Sequence, residues 1–257
     1  MNAAAPDEPQ RLAKRVAALM SCSRSEAERL VTGGWVRVDG QVIEVPEARV
    51  AGHQVVTVDP AARPETLVPM TLLWHKPAGL PLPEALHLTD DLVRRWFTPD
   101  SRSPSDRSRV RPVRAHFHRL QPLCPLATDE SGLMVFTQST PIARRFLQSA
   151  LDIEHEWFID MAEGLGPGEA DWRSGVLRSL QQPMSWQGRH QPPARASWQS
   201  DRRIRLVAKG CPPGHLHRLI DRATLLVAAV RRQRIGRVSL TGLESAQWRY
   251  LMPAERF

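Results

Sequence analysis

The residues that could carry chemistry fall into a few short segments. Asp129 lies in Leu126-Ala127-Thr128-Asp129-Glu130-Ser131-Gly132, a polar turn between apolar runs. A carboxylate there can act on a substrate or simply cap the turn. Cys211, His215 and His217, with His190, offer sulfur and nitrogen ligands. They lack the paired Cys-x-x-Cys knuckle of a structural zinc site, so no metal is expected. Histidines beside phosphates explain them as well. Gly164, Gly166 and Gly168 suggest a phosphate-binding loop, but no Lys-Ser/Thr follows and Pro167 suits a plain loop.

Charge narrows the partners. The 257 residues carry 35 Lys and Arg against 27 Asp and Glu, a net charge of +8. That excess favours a polyanion, nucleic acid before a membrane surface, although an arginine-rich composition without any RNA partner would give the same figure. Cys22, Cys124 and Cys211 are widely spaced, as free thiols in a reducing compartment are. No run approaches the roughly 20 apolar residues that span a bilayer, and Met1–Gln10 has no apolar signal core, so a cytoplasmic location is expected.

These residues need elements to hold them. Leu12, Val16 and Leu19 recur at helical spacing, and the segment Ser25 to Leu30 predicts a second capped helix. Trp35 to Val42 predicts a hairpin around Asp39-Gly40, and Val50 to Val58 a further strand with Val55 to Val58 as its core. Pro60 to Val68 has no apolar periodicity and predicts a linker. Beyond it, Thr71 to Lys76 predicts a strand running into a Lys-Pro-x-Gly turn. Strands are expected at Leu133–Phe136, Glu156–Met161 and Leu225–Arg231, with helices at Pro141–Ser149 and Leu216–Thr224. Pro99 to Arg114, with Arg102, Arg107, Arg109, Arg111 and Arg114 among Ser and Pro, predicts a mobile polar insert that either tracks phosphates or is merely solvated.

Two resemblances organise these observations. Ser23-Arg24-Ser25-Glu26-Ala27-Glu28-Arg29-Leu30 and Val36-Arg37-Val38-Asp39-Gly40 are similar to the signatures of the S4-type RNA-binding domain. Arg119-Leu120-Gln121-Pro122 through Ser131-Gly132-Leu133 resembles the active-site segment of ribosomal pseudouridine synthases of the RsuA type, R-L-x-P-V-G-R-L-D-x-D-T-S-G-L. Lys76-Pro77-Ala78-Gly79 and the closing segment through Ile235-Gly236, Leu240, Leu243 and Trp248-Arg249 are similar to further stretches of that family. The resemblance implies an α+β fold: an S4-type RNA-binding domain at 1–60, a linker at 61–70, and a synthase-like domain at 71–257 with a mixed, largely antiparallel sheet.

It also implies uridine isomerisation without metal or organic cofactor, on a base taken out of its stack. An Asp makes covalent contact, a basic residue orients it, and a Tyr lies against the base. Here the Asp position is Ala127, the Arg two residues before it is Pro125, and the Gly before that is Cys124. The Tyr position in His155-Glu156-Trp157 is Trp157, which can stack but cannot accept a proton. Arg218 matches the family's basic segment, where the preceding Arg is His217. Asp129 matches the second Asp of the pattern and is the one candidate catalytic carboxylate. Its displacement by two residues, about 6–7 Å along an extended chain, opposes unaltered covalent geometry.

The expected function is therefore binding of structured, ribosomal RNA by a catalytically impaired synthase relative. Arg11, Lys14, Arg24, Arg29, Arg37, Lys76, Trp157 and Arg218 are the expected RNA contacts. An active isomerase using a displaced carboxylate, or a domain turned to protein interaction, are the alternatives.

Overall fold

The computed structural model describes residues 8–83, 90–162, 170–186, 188–210 and 212–257. Its chain forms two compact units, one of residues up to Pro69 together with Arg111–His118, the other of Met70–Val110 with Arg119–Phe257.

In the first unit, β1 (Gln10–Arg11) leads into α1 (Leu12–Met20) and α2 (Arg24–Thr32). Ser23 caps α2, its side chain accepting from the Glu26 amide while the Glu26 carboxylate accepts from the Ser23 amide. This reciprocal cap fixes where the helix starts. Leu12, Val16, Ala27, Leu30 and Val31 pack on Val36, Val38 and Val50. Leu19 departs from the expected apolar face and is 55% exposed, because the last turn of α1 runs past this small core.

The strands are β2 (Val36–Val38), β3 (Gln41–Val42), β4 (Arg49–Val50) and β5 (Val56–Val58). They pair as β3-β2-β5 and β1-β4. Asp39 and Gly40 both have positive φ, 49° and 83°, and Val38 pairs directly with Gln41. This is the two-residue turn that Asp-Gly favours. Val55 is exposed rather than in a strand core; its amide donates to Asp39, and pairing begins at Val56.

Most of the second unit is one nine-stranded sheet among the described residues. Its strands are β6 (Thr71–Lys76), β7 (Gln121–Leu123), β8 (Ser131–Thr137), β9 (Glu154–Met161), β12 (Arg195–Trp198), β13 (Arg203–Lys209), β14 (Val227–Ile235), β15 (Val238–Ser239) and β16 (Trp248–Tyr250), while β10 (Met184–Trp186) and β11 (Arg189–Gln191) form a separate hairpin. The order is β12-β13-β9-β14-β8-β6-β16, antiparallel throughout except between β14 and β8, so the sheet is mixed and largely antiparallel as expected. Helices α3 (Asp90–Trp96), α4 (Thr140–Gln148), α5 (Ala170–Gln181) and α6 (His215–Arg222) accompany it. One core lies between β9, β13, β14, α5 and α6, and another under β8 and α4. No helix among the described residues is long and apolar enough to cross a membrane.

The insert expected to be mobile is tied down at both ends. In the second unit, Arg102 pairs with the buried Asp106 carboxylate at 2.8 Å and lies 5.3 Å from the Tyr250 ring centre. In the first, Arg111 stacks on Trp35 at 4.6 Å and donates to the Gly34 carbonyl, and the Arg114 amide donates to Glu44. Aromatic rings distant in sequence supply the apolar surface that the insert's own composition lacks.

Candidate functional site

The turn between β7 and β8 is shaped by long-range contacts. Gly132 has φ of 113°, and a Cβ there would lie 2.3 Å from the Arg232 carbonyl oxygen, so only glycine lets β14 approach. Arg232 is buried and spends its guanidinium on the Leu133 carbonyl at 2.8 Å and the Cys124 carbonyl at 2.6 Å. Cys124 itself is left-handed, φ 48°. Lys76 is fully buried, and its Nζ donates to the carbonyls of Pro77, Thr128 and Glu130 at 2.8–3.0 Å. Burial lowers its pKa, against the attraction of Glu130 and Asp129.

These clamps present a cleft of about 170 Å³, with Pro125, Leu126, Ala127, Glu130, Trp157 and His217 in its lining. Ala127 lines it, and its side chain offers no nucleophile. A different carboxylate lines the cleft. Glu130 is only 6% exposed, its Oε2 accepts from the Ala127 amide at 2.9 Å, and its Oε1 lies 3.5 Å from His217 Nδ1. Trp157 is buried in the wall, stacked on His155 with ring centres 5.5 Å apart, and its indole N–H has no hydrogen-bond partner. Burial, aided by Arg232 and Arg234, holds the His155 pKa well below its ordinary value, so the stacked ring is neutral.

A second candidate surface lies on the first unit. Arg11, Lys14 and Arg24 share a groove of about 380 Å³ with Glu28 and Glu47. Arg24 is paired with Glu28 at 2.9 Å.

Comparison with known proteins finds similarity across the chain. Residues 10–56 match the S4 domain. The ribosomal large subunit pseudouridine synthase B of Bacillus subtilis (strain 168) is 24% identical over 252 residues, 96% of this chain and 93% of its own. An uncharacterized RNA pseudouridine synthase of Aquifex aeolicus (strain VF5) is 27% identical over 162 residues, 62% of this chain and 60% of its own. The crystal structure of a pseudouridylate synthase shares the fold, with a TM-score of 0.52 and 16% identity across 94% of this chain and 96% of that one. This protein is an S4-domain homologue of the pseudouridine synthases.

In this synthase homologue the residues expected to act together are only partly assembled. Arg11, Lys14 and Arg24 meet in one groove. Arg29 does not line it and is tied to the Pro64 carbonyl at 2.9 Å, while Arg37 lies on β2 and donates to the Gly40 carbonyl. Lys76, expected at the RNA, is instead a buried clamp with every donor engaged. Trp157 lines the cleft as a wall. Arg218 is exposed on α6. Asp129 does not line the cleft; its carboxylate is 72% exposed and sits 3.4 Å from His217 Nε2.

Glu130 and Arg232 escaped the sequence reading. Glu130 takes the place of a Thr in the resembled pattern, and that exchange was its signal; Arg232 lies three residues before the Ile235 of the closing segment. Among the described residues no group of three or more His, Cys, Asp or Glu could hold a metal ion. Cys211 and the glycines of 163–168 lie outside the described residues.

Proposed function

We propose that this protein binds structured RNA, ribosomal RNA first, and that its synthase-type cleft no longer isomerises uridine by the family's route. The observation carrying the reading is Ala127, whose methyl lines the cleft at the nucleophile position. Pro125 and Trp157 support it: with no carboxylate at 127, a cation at 125 has nothing to orient, and an indole cannot take up a proton. Removing a nucleophile from covalent enzymes costs on the order of 10⁴ to 10⁶ in rate. The S4 domain supplies the RNA-binding face, and the ribosomal synthase of B. subtilis points to ribosomal RNA.

Mapping pseudouridine across total cellular RNA, with and without the gene, tests this directly. An unchanged map is expected, with crosslinking then identifying the bound RNA. The second reading, an active isomerase with a displaced carboxylate, draws on Asp129 beside His217 at the turn. It predicts a pseudouridine that vanishes without the gene and returns with the wild-type copy but not with Asp129→Asn.

The groove carries a further prediction. Lys14→Glu with Arg24→Glu should weaken RNA binding at low salt by at least about tenfold and flatten its salt dependence, since phosphate contacts act by counterion release. Unchanged affinity in a filter-binding titration would remove this face from the reading.

A further inference from the structure

The carboxylate in the cleft has a consequence for what the cleft can hold. A cavity of about 170 Å³ is well below the roughly 300 Å³ at which ordinary small-molecule sites begin, so it admits about one planar ring. Pro125, Leu126 and Leu216 supply apolar walls, and Trp157 adds an aromatic one. The polar groups are sparse and of fixed character. Glu130 is more than nine-tenths buried, and the Ala127 amide donating to Oε2 and the His217 ring beside Oε1 hold its carboxylate in place. A carboxylate oxygen there is an acceptor for a donor on the ligand.

We propose that the cleft receives one extruded RNA base bearing an exocyclic amine, cytosine rather than uracil, whose amine donates to Glu130. The inference rests on the RNA-binding reading and goes beyond it by naming the base. Uracil places a carbonyl oxygen where cytosine places its 4-amino group, so a base seated with that position at Glu130 sets acceptor against acceptor for uracil, which has only its N3–H, one ring position away, to offer instead. Acidic side chains accept from the cytosine amine elsewhere in nucleic-acid recognition. In that seating the buried acceptors disfavour uracil, because neither can recover its lost hydration unless the base shifts to offer N3–H. The Glu at 130 is thus a specificity-determining residue, and its exchange accompanies the loss of the carboxylate at 127.

The test compares two nine-nucleotide single-stranded RNAs, all uridine or with cytidine at the centre, binding to the full chain at low salt by fluorescence anisotropy. The cytidine probe should bind about tenfold more tightly, the scale of one well-placed base contact. Glu130→Gln, whose amide can donate, should erase or reverse that preference. A central N4,N4-dimethylcytidine should abolish it with the wild-type protein, which keeps the test sound if the variant fails to fold. Equal affinity for the two probes, or a preference that survives either change, would overturn the base assignment while leaving RNA binding intact. Binding of neither probe nor structured ribosomal RNA would overturn both readings.

Discussion

Ala127 lines the cleft, with Glu130 beside it. The Ala127 amide is already engaged by Glu130, so a carboxylate placed at 127 would share its surroundings with one already present. Two close carboxylates disfavour each other's ionised form. Ala127→Asp is therefore expected to give no pseudouridine above background on ribosomal RNA. Family-level turnover in that assay would show the pocket to be otherwise intact. Lys76 can be judged at the same scale. Its three carbonyl contacts predict that Lys76→Met lowers stability by about 2–4 kcal/mol in urea denaturation, because buried acceptors lose their donors. RNA affinity per folded molecule should not change; a specific loss of affinity would restore Lys76 as a contact.

Among the elements, the β8–β14 pair decides the site. It is the one parallel strand pair in the sheet among the described residues, and Gly132 lies opposite Arg232 within it. Arg232 in turn holds the carbonyls on either side of the cleft turn. Gly132→Ala would combine a positive φ with a backbone clash at 2.3 Å, for which no side-chain motion offers relief. A loss of about 3 kcal/mol or more is expected in the same denaturation assay. A near-neutral result would mean that β14 can withdraw from the turn without cost to the sheet.

Over the whole molecule, protonation sets a pH range for stability. His75, His116, His155 and His215 are buried, and burial lowers the pKa of each, His116 to about 4. The unfolded chain takes up protons near pH 6.5 that the folded chain refuses, so stability falls as pH drops from about 6.5 toward 4. His116 alone contributes on the order of 3 kcal/mol across that window. Glu156 acts lower: the Arg205 guanidinium, joined by Arg234, depresses its pKa, so its contribution is present above the ordinary carboxylate range and lost as pH falls through the folded value. Thermal unfolding from pH 7 to 4 should show this decline, and His116→Gln should flatten part of it. A decline with the same slope in that variant would place the lost stability elsewhere.

The sequence by itself determined what is local. Ser23 and Glu26 fix a helix start, Asp39-Gly40 a two-residue turn, and Lys76-Pro77-Ala78-Gly79 the end of a strand, because each depends on backbone preferences within a few residues. It also showed which residue stands at 127, since aligning a motif needs no coordinates. Tertiary structure alone decided burial and company. Lys76 became a clamp, Arg102 and Arg111 were drawn onto distant aromatic rings, and Glu130 turned into the cleft while Asp129 turned out. Arg232 meets the Leu133 carbonyl across 99 residues of chain. Contacts at that separation depend on which strands pair and in what register, and no local pattern of residue types records that choice.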